Sequence, residues 1–295
     1  MRSVRFFNTY FSNFPQLLLA NLLLLPFDLL AAGFCALMYK QFGGVNIAVS
    51  AAALIILNVG MSGVSLVCRY ICTGKEQSSV KAFIKGFKEN ALRCLLHGVI
   101  FYIVFAVSYL SVNLYYSGTK SSAVFWLPLI MTAIVALGVL FASYYMNMMT
   151  VTMDIPLRDL YRNCVLFSFG ELKNNILTTF ALVIFGSVIF TILYIINNPI
   201  VVLLVLALLQ LFIIPSTVQF IITFYTYDDM IAILDETKRT KKDDDTEKKP
   251  EKAPVIDKSE AEDISKAASD SKDEYIFYNG RMIKRSEVEK LLDND

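Results

Sequence analysis

A single His, a single Trp and five Cys in 295 residues leave little material for metal or disulfide chemistry. One imidazole does not make a His-based metal centre, and Cys68 and Cys72, four apart, lack the spacing and the further ligands of a zinc site. An odd number of Cys forces no pairing, which fits free thiols. Charge is scarce as well: Asp, Glu, Lys and Arg make up 18% of the chain, where a soluble domain carries about a quarter. Also missing are a phosphate-cradling glycine loop, a nucleophile elbow, paired His on a helix and an ATP-binding signature. These gaps remove the common enzyme classes. No catalytic, cofactor-binding or metal-ligating residue is assigned, and the chain reads as a non-enzyme.

Apolar residues are what the chain has in excess, at 56%. They fall into six runs near twenty residues, at about 15–37, 46–67, 95–115, 123–151, 177–196 and 199–223. Each is long enough to cross roughly 30 Å of hydrocarbon as a helix. The pattern predicts an all-α polytopic membrane protein with six transmembrane helices. The first run holds Pro26 and Asp28 and is too long for the core of a cleaved leader, so it reads as a retained span. Only Asn197 and Asn198 separate the last two runs before Pro199, a tight turn joining an antiparallel pair.

The near-neutral net charge of +1 conceals a division. Residues 228–295 hold 14 Lys/Arg against 20 Asp/Glu, a net of −6, so residues 1–227 carry 13 against 6, a net of +7. Eleven of those 13 basic residues lie in one set of connections and only Lys40 and Lys120 in the other. The asymmetry predicts that both termini are cytoplasmic in a multi-pass protein of the cell membrane.

The two large cytoplasmic connections resemble one another at a shift of 77 residues. Val80, Phe83, Ile84 and Phe87 form an apolar stripe with Lys81 and Lys85 off it. Leu157, Leu160, Tyr161 and Cys164 form another, with Arg158 and Arg162 off it. The spacing predicts two amphipathic elbow helices, about 79–91 and 156–173, whose basic residues meet lipid headgroups. Span two, elbow, span three and span four, elbow, span five then form a parallel duplication, flanked by spans one and six. A generic juxtamembrane pattern is the plainer alternative.

Three segments carry a family resemblance: Leu19-Ala20-Asn21-Leu22-Leu23 with Pro26, the stretch from Arg69 to Gly74 with Val80, Phe83, Phe87 and Asn90, and the second elbow from Pro156 to Asn175. Over roughly residues 5–225 the chain resembles the YesL family of bacterial membrane proteins, a domain of unknown function. Phe27 and Asp28 stand where that family usually has small or hydroxyl residues. The resemblance implies a five- or six-span protein of Gram-positive bacteria, encoded beside sugar uptake systems, with no reaction attached.

Within the spans, Asp28 is conspicuous, because an ionised carboxylate in hydrocarbon costs several kcal/mol unless paired or neutralised. Asn58 and Gln210 fall at similar depth by count and, with the Ser62 hydroxyl nearby, are candidate partners. The trio reads either as a polar pocket or proton site, or as a neutral packing group bonded to an amide. His97, just inside span three, reads as a packing or headgroup residue more readily than as a pH sensor. Small residues recur four apart at Ala32 and Ala36, Ala48 and Ala52, and Gly138 and Ala142, which suits close helix packing.

From about residue 235 dense charge and low hydrophobicity predict a disordered acidic linker, to about 273. Beyond it, Tyr275, Ile276, Phe277 and Tyr278, then Asn279-Gly280, then Arg281 to Arg285 form a hairpin pattern. Ser286 with Glu289 reads as a capping box opening a short helix. Too small to stand alone, residues 274–295 read as a docking peptide. Basic residues that line the membrane and an acidic tail give no support for nucleic acid. Two roles remain: an accessory or regulatory membrane protein whose tail and elbows contact a transporter or sensor, and a small-solute transporter or channel using Asp28, Asn58 and Gln210.

Overall fold

A computed structural model describes residues 2–42, 46–247, 275–278 and 281–284. The chain divides into two units, Met1–Ile233 and Leu234–Asp295.

The described residues of the first unit form helices joined by short connections. An amphipathic helix α1 (Arg2–Ser12) leads into α2 (Phe14–Phe42), which runs unbroken past Pro26. A short α3 (Ile47–Ser50) precedes α4 (Ala53–Thr73), closed by Gly74 in the left-handed conformation that a side chain disfavours. Then follow α5 (Ser79–Thr119), α6 (Trp126–Thr152), α7 (Leu157–Gly170), α8 (Leu172–Ile195), α9 (Pro199–Phe212) and α10 (Ile214–Glu247). Five of these segments are long and apolar enough to cross a membrane, and α9 with the first part of α10 makes a sixth, bent by 48°. The fold is that of an all-α polytopic membrane protein.

Three features depart from the sequence expectation. Residues 79–91 are not set off as an elbow; they are the first turns of α5, whose 41 residues extend about 60 Å. Lys88 to Cys94 contain neither Gly nor Pro, so nothing stops the helix. The second elbow, α7, is separate, because the chain breaks at Gly170 and Glu171. Residues 235–247 are helical as part of α10 and not a disordered linker, since Lys, Arg and Glu are good helix formers. Span six breaks at Ile213, two residues before Pro215, which lacks the N–H to continue α9.

Packing is confined to one half of the bundle. Buried residues of α5 end at Gly98, those of α6 begin at Phe141, α8 buries only Asn175 and Thr178, and α9 buries none. This half, with α7 and the start of α5, is the elbow end; the half with Lys120 and Asn198 is the far end. In the elbow half α4 and α5 approach so closely that only glycine fits. A Cβ on Gly86 would lie 2.7 Å from the Ser62 carbonyl oxygen, and one on Gly98 would lie 2.8 Å from Ile55 Cα. Of the small residues foreseen as contacts, Ala142 is buried, whereas Gly138 has only Phe169 Cζ near, at 3.9 Å.

In the second unit, strand β1 (Tyr275–Tyr278) pairs antiparallel with β2 (Arg281–Lys284), Tyr275 opposite Lys284 and Tyr278 opposite Arg281. The predicted hairpin is therefore formed. Its Asn279-Gly280 turn, the helix after Ser286 and the linker over 248–274 lie outside the described residues.

Candidate functional site

Two features share the middle of the bundle: a band of buried polar side chains in the elbow half and an apolar chamber directly beyond it.

The band starts from residues that break apolar runs. Asn58 of α4 donates through Nδ2 to the Cys94 carbonyl of α5 at 2.6 Å, and its Oδ1 accepts from Asn147 Nδ2 of α6 at 3.1 Å. One amide thus ties three helices. Next to it His97, fully buried, has Nε2 2.8 Å from Thr150 Oγ1 and Nδ1 2.9 Å from the Tyr161 hydroxyl. Thr150 spends its one proton on the Met146 carbonyl, so it accepts from His97. The network therefore assigns the hydrogen to Nε2 and makes Nδ1 the acceptor for Tyr161. Through this chain α5 and α6 hold the elbow α7. Tyr145 donates to Asn175 Oδ1 at 2.9 Å, while Asn175 Nδ2 reaches the Phe167 and Ser168 carbonyls. Those carbonyls lie in the last turn of α7, where the Phe167 carbonyl also accepts the Glu171 backbone N–H at 3.0 Å.

Other polar residues repair helix ends in the same way. Asn21 Oδ1 accepts from the Ser216 backbone N–H at 2.9 Å, a donor freed by the break in span six. Arg69 donates to the Val151 carbonyl at 2.7 Å, satisfying the C-terminal end of α6.

The trio Asp28, Asn58 and Gln210 does not converge as one cluster. Gln210 Nε2 donates to Asp28 Oδ1 at 3.2 Å, joining α9 to α2, and Asp28 Oδ2 is enclosed without a hydrogen-bond partner. Asn58 is committed to α5 and α6 instead, and Ser62 bonds its own helix at Val59. Asn58 sits beside Cys94, where the charged stretch of α5 ends, and so lies toward the elbow end and not at mid-span. Gln210 and Asn58 both line the chamber; Asp28 does not.

The chamber holds about 560 Å³ and is walled by α2, α4, α5, α6, α9 and α10. Its lining is aliphatic and aromatic, including Leu24, Met61, Phe101, Leu140 and Pro215, relieved only by Asn58, Ser108, Ser143 and Gln210. A smaller polar recess of about 380 Å³ opens at the elbow end between Glu89, Arg93, Thr150 and Asp154, with Arg93 3.2 Å from Asp154 across it.

On the elbow surface, Lys81, Lys85, Arg158 and Arg162 are all exposed. The apolar stripe of α7 turns inward, with Leu160, Cys164 and Phe167 buried, while Val165, Leu166 and Phe169 remain open for lipid. Burial pushes the Cys164 thiol up to about 12, so it is un-ionised at neutral pH. All five Cys are free thiols, and no group of three metal-ligating side chains occurs among the described residues. The docking-peptide residues Tyr275, Phe277, Tyr278 and Arg281 lie on the two paired strands.

Fold and site together define a polytopic integral membrane protein in contact with lipid, a helical bundle with a polar-braced half and an apolar chamber. Comparisons of the chain with protein-family models, with curated proteins and with solved structures gave no match in any of the three.

Proposed function

We propose that the protein is a non-enzymatic accessory or regulatory partner of a transport system in the cell membrane, with both termini cytoplasmic. It meets its partner, a transporter or sensor component, through the elbow end and the terminal hairpin. The resemblance to the YesL family points to carbohydrate uptake. The observation that carries the reading is the solid elbow half: Val64, Cys68, Met148, Met149, Leu160 and Met230 have 0% exposure there. Such packing favours a fixed docking surface over an aqueous path, and its exposed Lys81, Lys85, Arg158 and Arg162 suit anionic headgroups around the contact. A two-stranded hairpin that pairs with no third strand among the described residues is the kind of element that pairs with a partner strand.

One observation favours the alternative, a small-solute transporter or channel with a polar site near Asp28: Asn58 and Gln210 both reach the chamber, and Gln210 bonds Asp28. Crosslinking and affinity purification from native membranes separate the two, comparing the full chain with one ending before Tyr275. A transporter or sensor component recovered with the full chain alone is the expected result. No partner with either form, together with solute flux in vesicles that Asp28→Leu abolishes, overturns the accessory role.

A further inference from the structure

The chamber is not closed at its far side. A second recess, of about 480 Å³, runs along the same two helices and shares Ser108 with it. Its walls are Val107, Ser111 and Tyr115 of α5 facing Leu127, Met131 and Val135 of α6. Along α5 the combined groove runs from Phe101 to Tyr115, about 21 Å at 1.5 Å per residue. One leaflet contributes roughly 15 Å of hydrocarbon. That depth covers about ten residues of α5, so a chain entering beside Tyr115 reaches Phe105, at the near wall of the chamber, while its head stays at the interface.

Three further observations name the occupant. The far half of α5 and α6 buries nothing, so among the described residues no protein segment fills the seam, and in a bilayer the neighbouring medium is hydrocarbon. The seam is mostly apolar, with hydroxyls at Ser108, Ser111, Tyr115 and Thr132 and no charge, and the chamber beyond adds only Asn58, Ser143 and Gln210 as polar groups, which disfavours a water-filled path. Five residues past Tyr115, at the end of α5, comes Lys120, its ammonium 5.9 Å from the Tyr116 ring centre. It is the sole Lys or Arg between Arg93 and Arg158, and no acid lies between Glu89 and Asp154.

We infer that the α5–α6 seam is a specific binding groove for one acyl chain of an anionic phospholipid, its phosphate at Lys120 and its chain end at the near wall of the chamber beside Phe105 and Leu140. This goes beyond the accessory role and does not depend on it. The lipid belongs to the leaflet on the Lys120 side, and its chain takes the place of side chains the far half does not supply.

The test uses the full chain reconstituted in vesicles containing phosphatidylglycerol with a photoreactive diazirine at the end of one acyl chain. After irradiation, crosslinks are mapped by mass spectrometry. The expected result is strong enrichment on Phe105, Val139 and Leu140 over the exposed Phe190 and Leu203 of other spans. Ser108→Trp, which obstructs the seam, is expected to reduce the chamber crosslinks several-fold and leave those on Phe190 and Leu203 unchanged. Ala136→Trp on the facing wall does the same if the first variant fails to fold. Equal labelling of chamber and exposed spans, or chamber labelling indifferent to a folded blocking variant, reduces the groove to bulk lipid contact and overturns the inference. Equal chamber labelling by the matching phosphatidylcholine probe overturns the anionic specificity assigned to Lys120.

Discussion

Replacing Gly86 by Ala adds one carbon where α4 and α5 touch backbone to backbone. Its Cβ would stand 2.7 Å from the Ser62 carbonyl oxygen and 3.1 Å from Gly63 Cα, neither of which swings away as a side chain does. An optimal carbon contact is about 3.5 Å, so the helices must part by close to 0.8 Å, which forfeits roughly a quarter to a half of the attraction along the seam. Overpacking of this kind costs about 1–3 kcal/mol. Alanine also returns up to about 1 kcal/mol of helix propensity, which would blur the result if measured alone. Gly138→Ala supplies the control. It sits mid-helix in α6, its nearest contact is at 3.9 Å, and the propensity gain cancels in the comparison. The two variants should therefore differ by the steric cost, roughly 2–10 °C in midpoint for a chain of this size. The assay is retention of monodisperse protein in detergent after heating, at one fixed heating rate because membrane proteins unfold irreversibly. Equal midpoints for Gly86→Ala and Gly138→Ala would refute the close approach of α4 and α5, and with it the packed elbow half.

Tyr161→Phe leaves His97 Nδ1 buried without its donor and should cost about 1–3 kcal/mol. Tyr194→Phe, at a site 77% exposed, should cost nothing measurable in the same heating assay. Cys164, whose thiol burial holds un-ionised, should resist maleimide at pH 7 in the folded protein and react once detergent denatures it; rapid labelling of the folded form contradicts its burial. Asp28→Asn keeps an oxygen for Gln210 Nε2 and should fold nearly as well as the parent, whereas gross loss of folded protein would show that a charged, paired carboxylate is required. In a Cys-free background, thiol probes applied from outside should label Lys40→Cys and Lys120→Cys and spare Lys85→Cys and Arg162→Cys; the reverse pattern inverts the orientation.

The spans were legible because a run of about twenty apolar residues has few alternatives, and the inward stripe of α7 because its period matches a helix. Where helices break was less so. Pro26 and Pro215 occupy similar apolar runs, yet α2 continues through the first while span six bends before the second. The difference lies in tertiary context: Asn21, 195 residues away, accepts the Ser216 N–H that the break leaves free. The two connections fold differently although each contains a glycine: the helix breaks at Gly170 and Glu171 in the second and runs on through Gly86 in the first. The polar band is built from pairs 89 and 64 residues apart, Asn147 with Asn58 and Tyr161 with His97. A sequence flags each as a polar residue in or beside an apolar run, but the partner comes only from the packing.

The unequal packing of the two halves follows from what each residue type requires of its neighbours. Leu, Ile, Val and Phe are equally content against lipid or protein, so the far halves of α5, α6, α8 and α9, rich in them, gain little from meeting one another. Gly, Asn, Ser, Thr and His differ: their polar groups need partners in hydrocarbon, and glycine rewards close approach with backbone contact. These residues concentrate at Gly60, Ser62, Gly63, Gly86, Asn90, His97 and Gly98, and again at Asn147, Thr150, Ser168 and Asn175, all in the elbow half. That half is consequently fixed by directional bonds, while the far half is held only at its root and by lipid. A partner helix that meets the elbow half finds a rigid surface, whereas one that enters the α5–α6 seam must first displace whatever chain lies there. Lipid occupancy and partner binding at the seam are then mutually exclusive, and raising the concentration of the seam's own lipid should weaken any partner that binds there and leave a partner of the elbow end untouched.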